Sequence, residues 1–214
     1  MKHQKRVNIR EELKKFHVTI FGSARIKEDD LEYKEVYNLA RMIGEKGMNL
    51  VSGGGPGVMK AATLGHKYGS KKNKAYNIGL GIKLPHEQRI NPYVDFKMKF
   101  TRFSERLDNF LLLSNVIVVA PGGVGTMLEL FFSWQLMQVK HACNIPIILL
   151  GKQWKGLLKW LRKVPLKRKF FNKEDLNLLF WAKDSNEALK IIEKAYEQYN
   201  KGNKNFCLDY LKPR

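Results

Sequence analysis

The chain has 214 residues, 44% hydrophobic and 28% charged, which suits one globular domain with a sizeable buried core. Its 39 Lys and Arg against 20 Asp and Glu give a formal net charge of +19, a field that draws acidic partners or small phosphorylated substrates. Two cysteines without metal or disulfide spacing, a charged N-terminus with no apolar stretch, and no run long enough to span a bilayer argue against a disulfide scaffold, a secreted protein and a membrane protein. The expectation is a cytoplasmic protein.

The N-terminal "MKHQKRVNIREELKKF" reads as a charged extension, and the core of a single domain is expected over about residues 16–200. "HVTIFG" is a short apolar run stopped by glycine, the signature of a strand. "DDLEYKEVYNLARMIGEKG" places Leu31, Val36, Leu39, Ala40 and Ile43 at helical spacing, with Asp29 or Asp30 to cap its start and Gly47 to close it. "MNLVS" is a second strand, "GGGPGVMKAATLGHKYGS" a glycine loop entering a helix, and "AYNIGLGI" a third strand. A Pro-containing loop, "KLPHEQRINPYV", leads to a short strand at "DFKMKF" and a helix at "SERLDNFLLLS". "NVIVVA", "GTMLELFFSWQLMQVKH" and "IPIILL" read as strand, helix and strand. A basic helix, "WKGLLKWLRKV", and a final amphipathic helix, "SNEALKIIEKAYEQYN", precede a tail from Lys201 onward. Strands alternating with helices predict an α/β fold, a Rossmann-like doubly wound, mostly parallel sheet. The strands are continuous Val/Ile/Leu runs, as expected when helices cover both faces. Ligands of such sheets sit at the carboxyl ends of the strands, where strand order reverses.

Three of those ends carry loops suited to chemistry. "FGSAR" offers a close approach at Gly22, the Ser23 hydroxyl and the Arg25 fork of donors. "SGGGPGVMKAA" surrounds Pro56 with glycines where a helix begins, so free backbone N–H groups of Gly54, Gly55 and Gly57 and the helix dipole make an anion site. The glycines match neither GxGxxG nor a Walker loop. "PGGVGTMLE" exposes the backbone donors of Gly122, Gly123 and Gly125 and the hydroxyl of Thr126, a phosphate site with charge-assisted hydrogen bonds. Glu129 follows Thr126 by nearly one turn on the same face. A carboxylate there faces a sugar rather than the phosphate, or else serves only as a helix cap. Upstream, "FTRFSERLDNF" supplies Arg102, Glu105, Arg106 and Asp108, and surface pairs among them contribute only ~0.2–1 kcal/mol each.

"GGGPGVM", an "ER" pair and "PGGVGTMLE" together resemble the LOG ("lonely guy") family, formerly labelled lysine decarboxylases. The likeness runs over about residues 16–151, and "IGLGIKLPHEQRINPYV" is similar to a bacterial branch. It implies a nucleoside 5′-monophosphate phosphoribohydrolase, which splits AMP or cytokinin nucleotides into free base and ribose 5-phosphate. It implies catalytic roles for Arg106 and Glu129, phosphate binding at residues 122–126 with help from residues 54–57, nucleotide contact at Ser23, and a homodimer. Many members carry Lys where this chain has Leu107. That substitution removes a cation unless Arg102, Arg25 or Arg89 replaces it. The old decarboxylase label lacks chemical support, since no pyridoxal site is evident.

The long helix after Glu129 carries Phe131, Phe132, Trp134, Leu136 and Met137 and is apolar nearly all round, so either a second chain or the next helix must cover it. The superfamily also includes carriers of molybdenum cofactor that use such loops without cleaving a nucleotide, and a non-catalytic carrier is the alternative reading. A third is nucleic-acid binding by residues 152–173, which hold nine Lys or Arg, no Asp or Glu before residue 174, and Trp154, Trp160, Phe170 and Phe171. The five histidines show no ligand spacing, so neither a metal nor another cofactor is expected.

Overall fold

The computed structural model describes residues 8–12, 14–83 and 90–202. Most of the N-terminal extension, residues 84–89 with Arg89, Cys207 and the tail beyond Gly202 lie outside the described residues. Seven strands form one sheet: β1 (His17–Phe21), β2 (Asn49–Ser52), β3 (Asn77–Ile82), β4 (Phe96–Phe100), β5 (Val116–Val119), β6 (Ile147–Leu150) and β7 (Leu179–Ala182). Their order is β4-β3-β2-β1-β5-β6-β7, and every pairing is parallel. The chain winds outward from β1 in one direction, then returns to β1's other side with β5. That reversal leaves a crevice above the carboxyl ends of β1 and β5.

The helices are α1 (Ile9–Glu12), α2 (Leu31–Glu45), α3 (Val58–Gly69), α4 (Phe103–Leu113), α5 (Val124–Gln138), α6 (Trp154–Lys163) and α7 (Ser185–Asn200), with two 3₁₀ turns at Ser70–Lys72 and Lys173–Leu178. Side chains alternate across each strand. Val18, Ile20, Leu50, Val116 and Val118 join Val36, Leu39, Ile43 and Ile192 of α2 and α7 in one core. Phe21, Val51, Ile117 and Val119 join Phe110, Leu130 and Trp154 of α4, α5 and α6 in the other. Two cores on opposite faces explain why the central strands β1, β2 and β5 are buried at every position.

Three local readings change. β7 and the turn before it were not expected from the sequence. Pro56 stands two residues ahead of α3, and Gly57, at φ +62°, is its N-cap. Asp30 occupies the N-cap of α2, yet its carboxylate accepts from the Lys27 N–H at 2.8 Å rather than from the helix. Gly47 closes α2 as expected, in the left-handed region at φ +75°. The charged segment before residue 16 also reaches the body of the protein: buried Glu12 accepts from Tyr76 and Lys15 and pairs with His17.

Candidate active site

The loops after β1, β2 and β5 are stitched to one another by backbone hydrogen bonds. Ser23 N–H donates to the Pro121 carbonyl at 3.1 Å, and the Val58 N–H donates to the Ser23 carbonyl at 2.9 Å. A Cβ on Gly22 would stand 2.5 Å from the Val58 side chain, and one on Gly57 would overlap the Ser23 carbonyl oxygen. Both glycines therefore let the start of α3 close onto the β1 loop. Asn91, buried and following the undescribed segment, grips the β2 loop from the other side. Its amide donates at 3.0 Å to the carbonyls of both Gly54 and Gly55, and it accepts from Thr63 Oγ1 at 3.0 Å.

These loops border a cavity of about 840 Å³ at the switch point. Ser23, Gly55, Arg106, Gly123, Gly125, Thr126 and Glu129 all line it. Gly54, Gly57 and Gly122 stand behind its wall. The Gly54 N–H donates to Ser52 Oγ at 3.2 Å. The Gly122 N–H donates to Gln153 Oε1 at 3.0 Å, while Gln153 Nε2 donates back to the Gly122 carbonyl at 2.7 Å. The side chain of Gln153, just ahead of α6, thus holds the β5 loop as a neighbouring strand would. Beyond that clasp, α5 opens on Gly123 with no side-chain cap. The amides of its first turn have no partner within the helix and stand at its positive end. Gly123, Val124, Gly125 and Thr126 border the cavity there.

Arg106 comes from α4 and is 8% exposed. Its Nε donates to the Leu80 carbonyl at the end of β3 at 2.7 Å, and its guanidinium lies 4.8 Å from the Phe110 ring centre. A Cβ on Gly53 would stand 2.5 Å from Arg106 Nη2, so that glycine makes room for the guanidinium. The remaining arm, Nη1, meets Glu129 Oε1 at 3.5 Å. Burial pushes the Glu129 carboxyl up to about 7, and the Arg106 charge pulls it only part of the way back. The same burial pushes the Arg106 guanidinium down from its ordinary value, with Glu129 opposing. Burial wins for the acid because the pair meets through one long contact rather than a two-armed fork.

Leu107 is 7% exposed and belongs to the core, so a cation is not missing from the cavity wall at that position. Arg25 lines the cavity, and Lys83 and Lys99 add two further cations at the β3 and β4 ends. Arg102 does not line it. The sequence reading missed Gly53, Asn91, Lys83, Lys99 and Gln153. The Asn-Pro pair at residues 91–92 signalled a turn, but nothing local marked the hold of Asn91 on the β2 loop or that of Gln153 on the β5 loop.

A family model described as "Possible lysine decarboxylase" matches residues 58–192. A pyrimidine/purine nucleotide 5′-monophosphate nucleosidase of Escherichia coli K12 is 29% identical over 145 residues. That match takes in 63% of this chain and 30% of the relative, so the chain spans less than a third of that protein. Among solved structures, a molybdenum cofactor binding protein from Rippkaea orientalis is 20% identical with a TM-score of 0.65, covering 85% of this chain and 98% of that one. The molybdenum cofactor carrier protein of Chlamydomonas reinhardtii is 26% identical with a TM-score of 0.62, covering 86% and 99%. The strand order, the loops at the switch point and the family match lead to one assignment: the chain belongs to the LOG family, whose members were earlier grouped as possible lysine decarboxylases.

Proposed function

We propose that the protein hydrolyses the N-glycosidic bond of a nucleoside 5′-monophosphate, AMP or a cytokinin riboside monophosphate, to free base and ribose 5-phosphate. The observation that carries this reading is the buried Arg106–Glu129 pair beside the uncapped start of α5. The amides at residues 123–126 take the phosphate. Glu129 then lies a turn deeper, where the ribose follows. As the C1′–N bond breaks, positive charge develops on the sugar, and the Glu129 carboxylate stabilises it or takes a proton from the attacking water. The water oxygen bonds C1′, and the departing base keeps the bonding pair and gains a proton. Arg106, fixed by the Leu80 carbonyl and Phe110, holds Glu129 in place. Phosphate binding away from the reacting bond supplies the energy that positions the sugar.

A homodimer fits the exposed face of α5. Val124, Met127, Leu128 and Phe131 are all exposed at i, i+3, i+4 and i+7 spacing, one continuous apolar stripe. Val124 also borders the cavity, so a second copy seated there would reach its mouth. We place the protein in the cytoplasm, on the sequence reading of its charged N-terminal segment and its cysteine spacing; separately, no described helix is long and apolar enough to cross a membrane.

A carrier of molybdenum cofactor is the second reading, favoured by the nearly full-length match to solved carriers. One experiment separates the two. The purified protein is incubated with a panel of nucleoside monophosphates and the matching nucleosides, and free base is measured by chromatography. Base released from monophosphates and not from nucleosides supports the hydrolase. A bound pterin with no base released from any nucleotide supports the carrier.

A further inference from the structure

Over the β6–β7 end of the sheet, α6 carries a cationic face that does not line the first cavity. Trp154, Leu158 and Leu161 are buried, which turns Lys155, Lys159, Arg162 and Lys163 toward one flank of the helix. Together with Leu158 and Trp181 of β7 these four cations line a second cavity of about 350 Å³. Lys155 Nζ lies 4.3 Å from the Trp181 ring centre, and the Trp181 indole is fixed by donating to the Gly151 carbonyl at 2.9 Å. No acidic side chain lines this groove, and none occurs on residues 152–173. Trp160 lies one turn from Lys163 on the same helix and is 52% exposed. Farther along, Phe170 is 66% exposed with the Arg168 guanidinium 4.7 Å from its ring.

Lysines scattered over a solvated face need no aromatic partners; what is informative is aromatic faces clustered with a cation row. Here a cation row runs between an indole in a groove wall and an exposed indole. That combination suits a flexible polyanion whose units also carry flat rings. We infer that the α6–β7 face binds single-stranded nucleic acid, with the backbone on the cation row and bases on Trp181 and Trp160. A duplex offers the charge without free base faces. A membrane surface fits less well, because the apolar side of α6 is already committed to the core and cannot insert.

The test is fluorescence anisotropy of the full chain with a labelled single strand of about 16 nucleotides, read across a salt series. Four phosphate contacts give a log–log salt slope of about −3 for a single strand. The double substitution Lys159→Gln and Lys163→Gln should flatten that slope by about 1.4 and weaken binding at low salt at least ~10-fold. Trp160→Ala, at an exposed site that leaves the core intact, should weaken binding ~5- to 100-fold with the slope unchanged. Saturating nucleoside monophosphate should not displace the strand, since the two sites share no lining residue. Equal affinity in wild type and both variants would overturn the inference, because the net charge alone would then be responsible. So would displacement by nucleoside monophosphate, preference for duplex, or tighter binding to phosphatidylserine vesicles than to the strand.

Discussion

In the proposed reaction the chemistry turns on Glu129, and its environment makes two measurable claims. Its carboxyl is raised from 4.5 to about 7 by burial, so the folded chain holds that proton more tightly than the unfolded chain. The resulting destabilisation is absent below pH 4.5, grows as pH rises toward 7 and is complete above it, about 3 kcal/mol at most. Glu129→Gln should therefore be more stable than wild type at about pH 8.5, with the difference closing toward pH 4.5. Paired thermal melts at the two pH values check this. The proposed reaction needs the ionised carboxylate, so kcat/KM should rise with pH through about 7 and fall about tenfold per unit below it. Arg106→Lys keeps a charge but loses the arrangement in which Nε holds Leu80 while Nη1 meets Glu129. We expect kcat lower by roughly 100-fold with nucleotide affinity changed much less, measured by steady-state kinetics beside equilibrium binding. Glu129 stood out in the sequence by its place nearly one turn past Thr126, whereas the role of Arg106 came from the family resemblance. What spacing did not show is that Leu107 turns into the core, since which side of a short amphipathic helix faces inward depends on the sheet beneath it.

At the level of elements, the strands and glycine loops were readable because parallel strands buried on both faces announce themselves as apolar runs. β7 escaped because its four residues, half-exposed and rich in aromatics, sit at the sheet edge after a basic segment. The clamps on the loops escaped for another reason. Gln153 reaches Gly122 across 31 residues, and Asn91 reaches Gly54 across 37, so no local pattern encodes either contact. The Gln153 clasp fixes where the first turn of α5 begins. Gln153→Ala removes both hydrogen bonds and frees the loop, and we expect KM for the nucleotide to rise about 5- to 20-fold with a smaller change in kcat, since each lost bond contributes ~0.5–1.5 kcal/mol. Gln153→Glu can accept from Gly122 but cannot donate to its carbonyl, so its KM should also rise. A KM unchanged in both would mean that the loop holds its shape unaided.

For the whole molecule, doubly wound topology places the glycine loops after β1, β2 and β5 at one end of the sheet, and two cores on opposite faces of the sheet hold the strands that carry them. The exposed apolar stripe on α5 is the surface on which the proposed dimer rests. Sedimentation should find a dimer that dissociates in Leu128→Glu, a change at an exposed position that removes no core packing; a wild-type monomer at micromolar concentration would contradict the proposed assembly. The central claim is that Glu129 does chemistry rather than hold the fold. Its most direct test is to follow ribose 5-phosphate released from AMP by wild type and by Glu129→Gln, while measuring AMP affinity for both by calorimetry. We expect release by wild type, at least ~100-fold less by the variant, and affinities within a few-fold of each other. Release by the variant at the wild-type rate would remove Glu129 from the reaction and contradict the site as assigned.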